Sequence, residues 1–415
     1  MKHLKYFCLV ACMLCFRTAV AQPDSSQAHY TGLVDSLLRS NAPLFGKVLN
    51  NLPHYDVQII YTRIFRDKDN KPRFEHHTFQ LDTTQYFNPA STVKLPSIAL
   101  TLEKLNHLQR KGVKISKNDI IGWGATPCQR AQKAFPARHT LAEYMKRMLL
   151  VSDNNGYNRL YDFLGQAYVN DRLEQLGYKN ARIIQKFMPC TPAGNCQTPV
   201  FSFYSPKKKL LYKQAAAHNS RELYVPLANT LKGKGYYSGG RYVAEPYPFT
   251  YSNFLSLKNL HDILTALIFP YSVPKSRRFD LTTEDYQFIR KYMSRYPRES
   301  EFAEYKRRPY NDSYKKYLLY GQRMDTITDN LRIFNIVGLS YGYQIDCAYI
   351  ADFENNTEFM ISAIINVNEN CVYNDGVYAY GLGFNFLKNL GQVIRQYEKA
   401  TPKPNQPNLR MFQQL

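Results

Sequence analysis

The stretch Phe87-Asn88-Pro89-Ala90-Ser91-Thr92-Val93-Lys94 decides how this chain is read, and Val151-Ser152-Asp153-Asn154 completes it. Pro89 suits the approach to a helix rather than its middle. A helix over 91–108 therefore opens on Ser-x-x-Lys. One turn separates Ser91 from Lys94, so a hydroxyl and an amine share a face. Such an amine can take the hydroxyl proton and turn a poor nucleophile into a working one. Val93, Leu95 and Ile98 mark the neighbouring face as core. Burial there lowers a lysine's pKa and keeps neutral amine available. The second stretch brings another hydroxyl and an amide. Each motif alone is weak: Ser91 also reads as a helix N-cap, and Ser152-Asp153-Asn154 as a polar turn between helices.

Working outward, Val57–Phe65 and Phe74–Leu81 read as strands joined by a turn at 67–70. The spacing predicts a helix over 141–150, begun by the capping box Thr140-Leu141-Ala142-Glu143. It runs straight into Ser152, and residues 156–164 are helical again, followed by a turn or two over 171–177. Strands are expected at 331–338, 343–353 and 358–367, and a closing amphipathic helix at 378–398. An amphipathic helix is expected over 25–41. Between the two halves lies 199–330, which holds 17 of the 34 tyrosines and 22 Lys/Arg against 12 Asp/Glu. That tyrosine density argues for an ordered insert rather than a linker. Within it 233–240 reads as loop and 283–294 as helix. The expected architecture is α/β of the α+β kind: an antiparallel sheet built from both ends of the chain (42–90 and 331–415), a helical lobe (91–198) and the basic insert (199–330).

Composition sets the surroundings. Hydrophobic residues are 44% of 415, ample for a core. Residues 1–21 read as a secretory signal peptide, with Lys2 and Lys5, an apolar run, and Ala19-Val20-Ala21 before Gln22. This implies a periplasmic or secreted protein; Cys12 after Leu9-Val10-Ala11 offers a less favoured lipoprotein reading. No later stretch is long and apolar enough for a membrane span. The net charge of +21 falls to +18 once Lys2, Lys5 and Arg17 are removed. That charge favours anionic envelope surfaces; no nucleic-acid recognition motif accompanies it. Of five cysteines left after export, Cys190 and Cys196 enclose a turn-rich loop that a disulfide could close; buried thiols are the alternative. No Cys-x-x-Cys pair or His partner points to zinc, and no cofactor is expected. His76 and His77 adjoin on a strand, so they face opposite ways and read as a surface hairpin.

The paired motifs, in this context and at this spacing, resemble the penicillin-recognising serine enzymes, specifically class A β-lactamases, over 57–177 and 331–398. The resemblance implies roles. Ser91 is the acylated nucleophile and Lys94 its proton acceptor. Ser152 shuttles a proton to the leaving nitrogen. Asn154 binds the substrate amide and Lys94, and Asp153 holds the loop. The family's third motif, Lys-Thr-Gly, is matched only by Ile336-Val337-Gly338. Gly338 would let substrate approach the backbone, and the Leu339 N–H would join that of Ser91 in an oxyanion hole. The lysine and threonine that bind the substrate carboxylate are missing. Arg332 lies too far along the strand to replace them; some arginine of the insert could do so, and the sequence does not single one out. The family's water-activating glutamate is missing too: 175–221 contains no Asp or Glu, and its place falls near 186–189. The expectation is an exported serine hydrolase acylated on Ser91 by β-lactams or peptidoglycan-like amides and slow to release them. A DD-peptidase, or a non-catalytic wall-binding protein on the same scaffold, are the alternatives.

Overall fold

The computed structural model describes residues 32–322, 324 and 326–414. The expected signal peptide lies outside the described residues.

A five-stranded antiparallel sheet forms the frame. Its strands are β1 (Gln58–Arg66), β2 (Pro72–Phe79), β3 (Leu331–Ser340), β4 (Tyr343–Asp352) and β5 (Thr357–Asn366), in the order β3-β4-β5-β1-β2. Both ends of the chain thus build one sheet, and β3 is an edge strand. Helices of eight residues or more are α1 (Leu33–Ser40), α2 (Ala42–Leu49), α3 (Lys94–Arg110), α4 (Leu141–Val151), α5 (Asn154–Leu164), α6 (Gln166–Gln175), α7 (Leu257–Ile268), α8 (Thr283–Ser294) and α9 (Tyr380–Ala400).

Alternation along the strands explains the two cores. Ile333 and Val337 of β3 join Ile59 and Tyr61 of β1 against α1, α2 and α9. Phe334 and Ile336 face the other way, into the larger core that holds α3, α5 and α7. α7 runs buried along that second face, and Ser256 caps it by accepting from the Asn259 N–H at 3.2 Å. It lies inside the segment read from sequence as an insert, so part of 199–330 is core.

Three local expectations are corrected. Residues 233–240 are not plain loop: Gly235–Ser238 and Arg241–Val243 pair as a hairpin. The disulfide is Cys128–Cys190, and Cys196 is a free thiol. A short turn at Pro192–Asn195, capped by Thr191, points the Cys196 thiol back at Pro192 O, while Gly194 leaves room for the two bridged sulfurs. Nor is the His76-His77 pair a surface feature. His77 is buried, and His76 shares Thr62 Oγ1 (2.7 Å) with His261 of α7 (2.9 Å).

Candidate active site

Three pieces of backbone position the site. A tight turn, Ala90–Val93, leads directly into α3. Asn88 Oδ1 accepts from the Ala90 N–H at 2.8 Å, and Pro89 O accepts from the Thr92 N–H at 3.0 Å and its hydroxyl at 2.7 Å. Ser91 therefore stands on a braced first turn, where leading N–H groups have no intrahelical partners.

The second piece is the α4–α5 junction. Ser152 takes a left-handed conformation (φ 62°) at the end of α4. Asp153 then caps α5, its Oδ1 accepting from the Gly156 N–H at 2.5 Å. Gly156 is required here: a Cβ would sit 2.9 Å from Tyr144 O and 2.8 Å from Met148 Cγ. The sharp reversal turns the Ser152 and Asn154 side chains toward α3.

Lys94 is where they meet. Its Nζ lies within hydrogen-bonding distance of four oxygens, Ser91 Oγ (2.9 Å), Ser152 Oγ (2.9 Å), Asn154 Oδ1 (2.7 Å) and Ser152 O (2.5 Å), more than it has hydrogens to give. The side chain is fully buried. Burial, opposed by the nearby Asp153 carboxylate, lowers its pKa from 10.5 to about 7. A large fraction is then neutral amine at neutral pH, the state that accepts a proton.

The third piece is the edge strand β3. Tyr341 and Gly342, both at positive φ, make the two-residue turn between β3 and β4, and Ser340 pairs with Tyr343. In such hairpins the residues flanking the turn form a hydrogen-bonded pair, so the next pair, Leu339 with Gln344, is the non-bonded kind. The Leu339 N–H therefore points off the open edge of the sheet. That edge lies against the Ser91 turn: a Cβ on Gly338 would stand 2.8 Å from Pro89 O and 3.2 Å from Ala90 Cβ. The structure thus brings Ser91, Lys94, Ser152 and Asn154 into one cluster and sets Gly338 and Leu339 alongside.

Two groups here were not foreseen. The sequence allowed an arginine of the insert to supply the missing cation; a lysine of that segment, Lys315, lies near Lys94. Lys315 Nζ donates to Leu149 O at 3.0 Å and Met148 O at 3.3 Å, on the last turn of α4 before Ser152. Burial, and the neighbouring Lys316 and Lys94, hold its pKa well below the usual lysine value. Lys315 and Leu339 line one cavity of about 490 Å³. Arg332, by contrast, is committed elsewhere, 2.8 Å from Glu299. The second group is Phe187, whose ring centre lies 5.2 Å from Lys94 Nζ. It stacks on Tyr157 (4.3 Å between ring centres), and Asn158 Oδ1 accepts from its N–H at 2.7 Å. The neighbouring Lys186 is buried against Asp162 at 3.0 Å. No carboxylate stands at 186–189.

Beneath β3, Lys316 Nζ donates to Asn335 Oδ1 (2.7 Å), and Asn335 Nδ2 to Asp346 Oδ1 (2.8 Å). The amide bridges a buried cation and a buried carboxyl. No cluster of His, Cys, Asp or Glu suited to a metal occurs among the described residues, and no described helix is long and apolar enough to cross a membrane.

Residues 58–227 match the model of the β-lactamase enzyme family. Among solved structures, that of PBP-A is similar at 13% identity and TM-score 0.50, covering 89% of this chain and 97% of that one. A class A β-lactamase representative from Bacteroides cellulosilyticus DSM 14838 is similar at 12% identity and TM-score 0.49 (89% and 99% covered). The β-lactamase from Sphaerobacter thermophilus DSM 20745 follows at 11% and 0.47 (89% and 98%). The likeness to PBP-A is one of fold. No curated protein matches the chain in sequence.

Proposed function

Because this chain is a β-lactamase-like family member, we propose that it is an exported serine hydrolase that forms an acyl-enzyme on Ser91. Lys94 Nζ carries this reading, since it reaches Ser91 Oγ and Ser152 Oγ at 2.9 Å each while too buried to remain a routine ammonium. Ser91 Oγ attacks an amide carbonyl carbon and gives its proton to neutral Lys94. The N–H groups of Ser91 and Leu339 hold the developing oxyanion, the role in which fixed donors contribute most. As the carbon–nitrogen bond breaks, the proton passes from Lys94 through the Ser152 hydroxyl to the leaving nitrogen. Asn154 orients the substrate amide. Lys315 takes the role of the absent third-motif lysine: a substrate carboxylate arriving beside it opposes the burial that lowers its pKa and draws it into the ammonium form. The substrates are β-lactams or peptidoglycan-like amides, met in the periplasm or outside the cell.

Release of the acyl group is slow, because Phe187 stands near Lys94 where hydrolysis would call for a carboxylate. A positioned base contributes about 10²–10⁴-fold to such a step. That absence also favours a second reading, a wall-binding protein that keeps the scaffold without turnover. A DD-peptidase shares the same nucleophile. Incubation with a labelled penicillin, followed by intact-mass analysis of wild type and Ser91→Ala, separates these. A mass gain in wild type alone supports the acyl-enzyme. No gain with any β-lactam or activated ester supports the binder.

A further inference from the structure

Two stretches of this chain carry no acidic residue, 120–142 and 175–221. The fold puts them side by side. Strand Ile120–Trp123 pairs with Phe201–Tyr204, which pairs in turn with the outer strand Leu210–Gln214. The Cys128–Cys190 disulfide ties the same two stretches together. Lys186 and Arg221 of these stretches pair with Asp162 and Asp171 from outside them, which leaves the cations of the outer hairpin without an acidic neighbour in their own stretches.

The tip of this hairpin is the turn at 205–209. Ser205 N–H donates to Lys209 O, and Lys208 N–H to Ser205 O, both at 2.9 Å. Lys208 sits in the left-handed region at φ 65°, which tightens the turn. Lys207, Lys208 and Lys209 are all exposed, as is Lys213 on the outer strand. From the other stretch, Arg138 reaches Pro206 O at 3.4 Å and Phe135 lies 5.6 Å beneath the Lys208 ammonium, so exposed Lys133 and Arg138 join the same tip. None of these six cations is ion-paired among the described residues. Beside them Leu210 is 48% exposed on a strand that has no partner on its outer side.

We infer that this hairpin tip docks the protein on a bilayer surface rich in anionic phospholipid. A convex tip meets a flat surface well and offers a linear polyanion no groove to lie in. Lysines near an anionic leaflet add attraction that falls away within a Debye length. An aliphatic side chain among them enters the interfacial layer, a contact that a nucleic acid or a soluble polyanion would not reward. The inference is independent of the chemistry at Ser91.

The test uses the whole protein and two kinds of vesicle, one of phosphatidylcholine and one with a third of it replaced by phosphatidylglycerol. Sedimentation is expected to carry the protein with the anionic vesicles only, and less so as salt rises. The triple variant Lys207→Gln, Lys208→Asn, Lys209→Gln, which keeps a residue tolerant of positive φ in the turn, is expected to partition about 10²-fold more weakly, roughly fivefold for each lysine lost. Leu210→Ser is expected to weaken vesicle binding but leave binding to heparin unchanged. Equal binding to both vesicles, an unaffected triple variant, or tight binding to heparin or DNA without vesicle binding would each overturn the assignment. Circular dichroism identical to wild type establishes that the variants are folded.

Discussion

The Phe187 ring lies 5.2 Å from Lys94 Nζ, so the amine that would activate Ser91 has an aromatic neighbour where a second, water-activating acid would be needed. Under the proposed mechanism acylation and release rest on different resources: Lys94 would serve the first, and no carboxylate at 186–189 is there to serve the second. After a penicillin is added and the excess removed, the adduct is expected to outlast its own formation by at least about 10²-fold in time. A chase followed by intact mass measures this; loss of the adduct as fast as it forms would show that another group activates water.

If Lys94 is the base, its lowered pKa sets the pH dependence of acylation. The reactive form is the neutral amine, and its conjugate acid has a pKa of about 7. The second-order rate of adduct formation should climb about tenfold per pH unit below that value and level off above it. For stability the sign is set by the same depression. Between about 7 and 10.5 the unfolded chain holds the proton more tightly, so this residue's burden on folding lifts as pH rises through that window. A flat profile from pH 5 to 8, taken with an activated ester that does not itself titrate, contradicts Lys94 as the base.

Lys315 should separate substrates by charge. Lys315→Met is expected to slow acylation by a carboxylate-bearing penicillin about 10–100-fold, the loss of one charge-assisted contact. A neutral activated ester should react at close to the wild-type rate, which also reports an intact nucleophile. Equal losses with both reagents would assign Lys315 to holding the end of α4, where it bonds Met148 O and Leu149 O.

Gly338→Ala tests the closeness of the edge strand to the nucleophile turn. The added methyl meets Pro89 O at 2.8 Å, a backbone atom that cannot swing aside. Forcing the strand outward is expected to cost about 1–3 kcal/mol of stability. It should also reduce acylation more than the stability loss explains, because the Leu339 N–H moves with the strand. Urea denaturation and adduct kinetics together check this.

Asn335 links Lys316 to Asp346 under the same strand. Asn335→Leu takes one hydrogen bond from each group, while Lys316 keeps Ile333 O and Asp346 keeps the Leu318 N–H, so the expected cost is about 1–3 kcal/mol. A change in unfolding free energy below 1 kcal/mol would mean that the two groups are neutral or otherwise satisfied.

Much of this was legible from local chemistry. Thr140 caps α4 where the sequence placed it, its Oγ1 accepting from the Glu143 N–H at 3.1 Å, although the Glu143 carboxylate accepts from Arg147 at 3.1 Å instead of closing the expected capping box. The helix at 283–294 and the strands at both ends followed from caps and periodicity. The nearness of Ser91 and Lys94 was readable from one helical turn of spacing; that Ser152 and Asn154 would join them was an expectation carried by the family resemblance. Lys315 was not readable as a site residue, because its place depends on how a distant loop folds back on α4. The run Tyr314-Lys315-Lys316-Tyr317-Leu318-Leu319 did carry a signal, two lysines set among bulky apolar groups. The disulfide escaped for a related reason: Cys128 lies far from Cys190 in sequence and near it only through strand pairing. α7 was hidden inside a segment whose tyrosines drew attention to its surface.

The measurement that tests the central claim most directly is the site of attachment. The protein is incubated at pH 8 with a penicillin, quenched in acid, digested and sequenced by tandem mass spectrometry. A penicilloyl group on the peptide bearing Ser91, absent when Lys94 is replaced by alanine, is the result expected. Attachment at another serine, or none under conditions where the folded state is verified, would contradict a nucleophile built from Ser91 and Lys94.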